Sequence, residues 1–368
     1  MKVLLACDKF KGSLDSYGVN TALARGLKKK YPEITPLILP MADGGDGTLA
    51  VLKEAFEVPY IYQKTTDPLG RSITAPYLKN KKTAYFELAA ASGISLLKKN
   101  ERQPLRTTTL GTGRMMRKAL KDGATRLVLG LGGSCTTDAG LGIAYELGVR
   151  FYDKNKNELI PAGGNLLHIV RMDLKNTIDI DHLKILSDVP NPLYGPDGAA
   201  HVFARQKGAT DKEIDLLDQG LRHVARLIKT HTGRSIDKLE GGGAAGGIAA
   251  GLVGLFGAEV KNGFEYLKNL TNLETEIKKA DLVITGEGQL DKTSLNGKVV
   301  GGVAALCRQY QKPLVLVVGM SKLSTTEKET LGIREVYTVL ERAGSVGEAM
   351  ENTVKYLEEI GGGVKLTI

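Results

Sequence analysis

Both ends of the chain repeat one pattern: a short unbroken apolar run, a loop rich in glycine and aspartate, then a stretch with helical periodicity. At the start, Val3-Leu4-Leu5-Ala6-Cys7 precedes a helical segment, Ser16–Lys30, with Val19, Leu23 and Leu27 on one face. A second run, 34–39, leads through Asp43-Gly44-Gly45-Asp46-Gly47-Thr48 into a helix that aligns Leu49, Leu52 and Phe56. At the end, Leu282–Thr285, Leu314–Val318 and 335–340 read as strands, and 298–309, 326–331 and 346–359 as helices. A continuous apolar run suits a strand covered by helices on both faces, which is the condition of a parallel sheet. Strands alternating with helices imply an α/β layer structure. Neither end alone has enough strands for a doubly wound sheet, so the two are expected to combine.

The middle differs. It holds short, partly alternating strands at 72–77 and 83–86, a long helix near 211–231, and several glycine-rich loops. The expected architecture is α/β: a discontinuous Rossmann-like domain (1–68 and 281–368) with an inserted mixed α/β domain (69–280). A chain of 368 residues exceeds what one hydrophobic core usually serves. Glycine supplies 45 of them, well above the usual ~7%. No Gly-X-Y period is present, so the excess belongs to loops.

The richest of these loops is Gly130-Leu131-Gly132-Gly133-Ser134-Cys135-Thr136-Thr137-Asp138-Ala139-Gly140-Leu141-Gly142, directly after the apolar run Arg126-Leu127-Val128-Leu129. Glycines let a backbone approach a ligand closely, and N–H groups at a helix start favour anions. One reading is a phosphate cradle formed by Gly132, Gly133, Ser134, Thr137 and Asp138. The other is a tight strand-to-helix turn whose glycines serve packing alone.

Ligands of open α/β sheets sit outside the carboxyl ends of the strands, and polar residues recur there. Lys9, Lys11 and Ser13 follow the first strand. They suit phosphate or a substrate carboxylate, or form a plain exposed loop with a serine helix signal. Asp43 and Asp46, three apart on a glycine hairpin, can converge on Mg²⁺, which takes one or two carboxylates with waters and phosphate oxygens; Asp46 equally suits a helix cap. Asp188 and Asn191 stand in a loop stiffened by Pro190 and Pro192 after the strand 183–186. A fixed carboxylate there serves as a general base or as an Asx turn. Glu287 and Asp291 bind metal or substrate, or satisfy loop N–H groups. Glu87 and the Thr107-Thr108-Thr109-Leu110-Gly111-Thr112-Gly113 stretch are weaker candidates for lining the same cleft. The five histidines form no close metal-ligand pair, which argues against a zinc site, and no GxxxxGK[ST] motif is present.

The net charge is +9, with lysines in short scattered runs, which favours small acidic substrates. Trp is absent and aromatics are 5%, against stacking on single-stranded nucleic acid. Cys7, Cys135 and Cys307 are widely spaced, as in a reduced compartment. The apolar stretch before Cys7 is too short for a signal peptide, and the longest apolar segment, 248–258, is glycine-broken and too short for a bilayer. A soluble, cytoplasmic protein without membrane or nucleic-acid partners is expected.

As an ordered set, these segments resemble the class I glycerate kinase family of bacteria. The resemblance runs from Asp8-Lys9-Phe10-Lys11-Gly12-Ser13-Leu14 and Ala42-Asp43-Gly44-Gly45-Asp46-Gly47-Thr48 through the glycine loop to Asp188-Val189-Pro190-Asn191-Pro192-Leu193. It continues over 243–247 and 281–290 with Gly297-Lys298. It implies a flavodoxin-like domain with an insertion, and ATP-dependent, Mg²⁺-assisted phosphorylation of glycerate, usually at the 2-hydroxyl. Asp43, Asp188, Glu287 and Asp291 are then the expected catalytic carboxylates. Lys9 stands where the family commonly has Ser, Cys7 where it has Pro, Gln289 where it has Arg, and Cys135 and Thr137 where Ala and Asn are frequent. The loop 130–142 has no cation of its own, so it is expected to take nucleotide, while Lys9, Lys11 and Arg71, expected on the opposite domain, take glycerate. Two alternatives stand beside this: phosphorylation of the 3-hydroxyl or of another small hydroxy acid, and a non-catalytic small-anion sensor. The Gly-Leu-Gly-Gly-Ser run is also similar to the galactokinase–homoserine kinase–mevalonate kinase superfamily.

Overall fold

The computed structural model describes residues 1–291, 294, 298–322 and 332–366; the expected helix at 326–331 and Gly297 lie outside them. The chain divides into two compact units, Met1–Ala55 with Asn262–Ile368, and Phe56–Lys261. The joins inferred from sequence were 68/69 and 280/281.

In chain order, the first segment is β1 (Val3–Leu5), α1 (Ser16–Lys30), β2 (Leu37–Ile38) and α2 (Thr48–Phe56). The middle unit holds β3 (Ile61–Thr66), β4 (Ser72–Asn80), β5 (Thr83–Glu87), α3 (Ala89–Ser92), α4 (Leu110–Lys121), β6 (Arg126–Gly130), α5 (Leu141–Glu146), β7 (Arg150–Tyr152) and β8 (Arg171–Asp173). It continues with β9 (His182–Leu186), α6 (Ala199–Phe203), α7 (Asp211–Thr232), α8 (Ala244–Phe256) and β10 (Glu259–Lys261). The last segment has α9 (Gly263–Leu270), α10 (Leu273–Lys279), β11 (Leu282–Thr285), β12 (Gln289–Leu290), α11 (Val299–Gln309), β13 (Leu314–Val318) and β14 (Met320–Ser321). It closes with β15 (Glu335–Thr338), α12 (Leu340–Ala343), α13 (Val346–Glu351) and α14 (Thr353–Gly363).

The terminal unit is built on one parallel sheet, β15-β13-β11-β1-β2, with Leu4 registered against Leu37 on one side and Val283 on the other. Renumbered within the unit, the order is the flavodoxin-like 2-1-3-4-5. Its topological switch point lies between β1 and β11, the position at which open α/β sheets bind their ligands. The apolar runs of β1, β11 and β13 are buried throughout, as strands covered on both faces must be. Asp15 caps α1 by accepting from the Gly18 N–H at 2.7 Å, and Lys28, Lys29 and Lys30 end it against the helix dipole. Helices α1 and α14 meet at glycines: a Cβ on Gly26 would lie 2.0 Å from the Glu358 carbonyl oxygen.

The middle unit has a six-stranded sheet, β10-β9-β6-β5-β4-β3, parallel from β10 to β5 and antiparallel through β4 and β3. The loops after Glu87, Gly130 and Leu186 therefore leave the same edge. Helix α7 places Ile214, Leu217, Leu221, Val224 and Ile228 on its buried face. Its capping box is formed by Glu213, which accepts from the Thr210 N–H at 2.7 Å.

Local expectations differ from the structure in four places. The 34–39 run yields only a two-residue β2, because Pro36 lacks an N–H for the ladder. The 335–340 strand stops at Thr338, and the 346–359 helix is two helices broken at Asn352. Strand β3 was not anticipated. It is a sheet edge with only Thr65 buried, so it has no apolar run to show.

Candidate active site

Three carboxylates meet at the carboxyl ends of β1, β2 and β11 in the terminal unit. Asp8 follows β1 and is buried; burial drives its pKa up to about 7, Lys9 pulls it down, and Asp43 and Glu287 push it further up. The Lys9 N–H donates to Asp8 Oδ1 at 2.6 Å, and the Lys9 ammonium lies 3.7 Å from the same oxygen. Glu287 follows β11 and is also raised to about 7, by burial first; Ser294 and Lys298 oppose this, Asp291 and Asp43 add to it. Mutual repulsion of carboxylates in a poorly solvated crevice is a charge arrangement that favours a cation. The loop after β11 reaches this position because Gly286 and Gly288 let it run close to its neighbours. A Cβ on Gly286 would stand 1.6 Å from the Val317 carbonyl oxygen, and one on Gly288 would stand 3.1 Å from the Lys11 nitrogen.

Among the described residues no group of three or more His, Cys, Asp or Glu side chains could by itself hold a metal ion. Mg²⁺ needs only one or two carboxylates when phosphate oxygens and water complete its shell. The donors fit that mode: among the described residues Asp46 Oδ1 and Glu287 Oε1 are buried without a hydrogen-bond partner, and Asp43 Oδ1 accepts a 3.1 Å bond from the Gly45 N–H. Asp291 is drawn into its own loop, accepting from Gln289 Nε2 at 3.0 Å while its N–H donates to Ser294 Oγ at 3.1 Å. Lys11 is exposed on the turn after Phe10. Ser13 is turned away: past Gly12, at φ +81°, its hydroxyl donates to the Met350 carbonyl at 2.9 Å and meets Thr353 Oγ1 at 2.5 Å. It anchors the turn to α13 and α14, so the expected phosphate contact gives way to a tertiary one.

In the middle unit the glycine loop is clamped from three sides. The Gly133 carbonyl accepts from the Ile94 N–H at 2.8 Å, and the Cys135 N–H donates to the Ser92 carbonyl at 3.1 Å. The Thr107 hydroxyl donates to the Cys135 carbonyl at 3.0 Å, and the Ala139 N–H to the Gly246 carbonyl at 3.1 Å. Gly246 sits in a left-handed turn, Ala245-Gly246-Gly247, where a Cβ would stand 2.2 Å from the Thr136 carbonyl oxygen. The N–H groups of Gly132, Gly133 and Ser134 take no part in these bonds, and Gly133 has φ +61°. Thr137 is fully buried, its hydroxyl without a partner among the described residues. Asp138 is fully buried and bonded to Thr109, Gly140 and Gly142, so it holds the loop's own backbone where a nucleotide contact was expected.

Arg71 belongs to the same unit as the glycine loop, against the expectation that it faces it from the other domain. Its guanidinium bonds Asp67 at 2.5 Å and Glu101 at 2.6 Å and is committed to them. Asn191 donates to the Asp197 carbonyl at 2.9 Å and stiffens its own loop. That loop is pinned to the second glycine run by the Gly241 N–H on the Pro190 carbonyl (3.1 Å) and the Gly243 N–H on the Asn191 carbonyl (2.9 Å). Asp188 lies at its base, half-buried. Sequence reasoning passed over two residues. Asp8 carried a positional signal, the first polar residue after β1. Lys207 carried none: it is distant in sequence, yet its ammonium reaches the Thr136 carbonyl at 2.6 Å and brings the glycine loop a buried cation.

A family model described as the glycerate kinase family matches residues 3–367. The chain is 38% identical to glycerate 2-kinase of Escherichia coli K12 over 95% of its length and 93% of the relative's. It is 37% identical to glycerate kinase of Bacillus subtilis 168 over 97% and 95%. A crystal structure assigned to glycerate kinase 2 of Salmonella typhimurium LT2 superposes with a TM-score of 0.83 at 35% identity, covering 99% of this chain and 98% of that one.

Proposed function

From the premise that this chain belongs to the glycerate kinase family, we propose that it transfers the terminal phosphoryl group of ATP to the 2-hydroxyl of glycerate, with Mg²⁺ as companion ion. The observation that carries the reading is the crowding of Asp8, Asp43 and Glu287 at the switch point of a flavodoxin-order sheet, with Glu287 Oε1 unpartnered among the described residues. Phosphoryl transfer asks a protein for positioned charge more than for covalent chemistry. Asp43 and Asp46 are the proposed holders of Mg²⁺, which when bound would offset the charge of the phosphate oxygens. Lys9 and Lys11 bring positive charge to the same loops. Glu287 is the proposed acceptor of the hydroxyl proton, since its Oε1 has no hydrogen-bond partner among the described residues; Asp188 is the carboxylate that would serve if it does not. Asp291 orders the loop behind Glu287. The N–H groups of Gly132, Gly133 and Ser134, unbonded among the described residues, are the proposed phosphate contacts of the nucleotide. Three unpaired, buried cysteines support a reducing, cytoplasmic setting, and among the described residues no helix is long and apolar enough to cross a membrane.

The test is ADP release coupled to product identification. Turnover is expected with glycerate and a divalent cation, and NMR of the product is expected to show 2-phosphoglycerate. Full activity in excess chelator, 3-phosphoglycerate as product, or glycerate binding without ADP release would each overturn the corresponding part.

A further inference from the structure

Lys207 is the most deeply buried cation of the middle unit, with 1% of its surface exposed. It ends a short turn, Arg205–Lys207, and Gly208, at φ +98°, lets the chain pass so close to Arg102 that a Cβ would stand 2.1 Å from the Arg102 carbonyl oxygen. This geometry drives the lysine inward, where its ammonium donates to the Thr136 carbonyl at 2.6 Å. An ammonium has three donors and is strongly hydrated, so burying it is unfavourable unless a partner or a function retains it. Among the described residues no carboxylate lies within 4.0 Å of it; Asp138 favours its charge from farther off, with its own oxygens on Thr109, Gly140 and Gly142. The neighbouring Thr136 and Thr137 hydroxyls are buried, without a partner among the described residues.

We infer that Lys207 is the positioning cation of the glycine loop: held on the Thr136 carbonyl, it fixes the loop's shape and lends its outer N–H groups a positive potential that favours the phosphate chain of a nucleotide. The inference rests on the proposal that this loop takes the nucleotide. It resolves the lack of any cation between Gly130 and Gly142, supplying from behind the backbone what the segment itself does not carry. A unit charge about 10 Å away through a medium of effective dielectric ~20 shifts a binding equilibrium by about tenfold or more.

The test is equilibrium binding of ADP to the purified full chain, beside the KM for glycerate. Lys207→Met and Lys207→Gln are expected to weaken ADP binding by about tenfold or more and leave the glycerate KM within about twofold; Lys207→Arg, which keeps the charge, is expected to retain most of the affinity. Glutamine keeps a donor on the Thr136 carbonyl, so it carries the test if the methionine variant does not fold. The unmodified protein supplies a third arm: ADP affinity falls as pH rises from 8 to 10 and the ammonium loses its proton. The titratable groups whose charge acts on Lys207 are Cys135 and Asp138 in the loop, whereas Arg205 on its own turn is exposed and paired with Asp211. Unchanged ADP binding in Lys207→Gln overturns the inference. Gly133→Val separates this failure from failure of the premise. If that variant loses glycerate and keeps ADP, the loop does not take nucleotide; if it loses ADP while Lys207→Gln does not, only the role of Lys207 falls.

Discussion

Replacing Asp138 asks whether its carboxylate is a clamp or a ligand contact. Its Oδ2 accepts from the Thr109 N–H and hydroxyl, each at 2.8 Å, and from the Gly142 N–H at 3.3 Å, while Oδ1 accepts from the Gly140 N–H at 3.1 Å. One buried anion thus serves the starts of both α4 and α5, where backbone donors lack intrahelical partners and the dipoles favour negative charge. Asp138→Ala orphans four donors in a site closed to water. At about 1–3 kcal/mol for each unsatisfied buried group, the loss is roughly 4 kcal/mol or more, a large share of the 5–15 kcal/mol typical of folded domains. Asp138→Asn keeps the volume but turns an amide N–H toward one donor, so roughly a third to a half of that loss is expected. The assay is urea unfolding followed by far-UV circular dichroism. With a slope of roughly 2 kcal/mol/M, the alanine variant moves the midpoint by about 2 M and the asparagine variant by less. An alanine variant within about 1 kcal/mol of the parent that has lost ADP binding would refute the clamp and return Asp138 to the nucleotide site.

Asp43→Asn is expected to lower kcat by at least ~100-fold with the fold intact, since a carboxylate that holds a metal stabilises transition-state charge by several kcal/mol; near-normal kcat at saturating Mg²⁺ would make Asp43 structural. Gly286→Ala drives a methyl to 1.6 Å from the Val317 carbonyl oxygen and should abolish soluble expression or lower stability by about 3 kcal/mol, whereas Gly347→Ala, which meets nothing within 4 Å, should be tolerated. Ser13→Ala should leave both KM values within about twofold and lower the melting temperature slightly, because its hydroxyl serves Met350 and Thr353. Burial lowers the Lys207 pKa from 10.5 to about 8. The unfolded chain therefore holds more protons between those values, and stability should rise with pH across that window by about 3 kcal/mol relative to Lys207→Met. A flat difference between the two proteins from pH 8 to 10 would show that the ammonium is not buried as charged.

The sequence by itself determined the layer structure and the strand-end loops that carry the proposed site residues. Val3 to Leu5, Leu282 to Ile284 and Leu314 to Val318 are apolar throughout because a strand covered on both faces has no polar side to show, and Glu287 lies in the loop that follows the second of these runs. Elements with weaker patterns were hidden: β3 is an exposed edge, and β2 is cut short by Pro36. Which polar groups are taken up by neighbouring residues was decided only by the tertiary structure. Ser13, Arg71 and Asn191 are of the right type and near the right strands, yet each spends its donors on a neighbour that sequence cannot place: Met350, Glu101 and Asp197. Asp8 and Glu287 become a pair only because β1 and β11, far apart in the chain, are adjacent in the sheet. Lys207 reaches the glycine loop across a separation of 71 residues. Apolar periodicity is a local property of the chain, so it survives in the sequence; hydrogen-bond partnership and desolvation depend on what the fold brings within about 3 Å, and no local pattern encodes that.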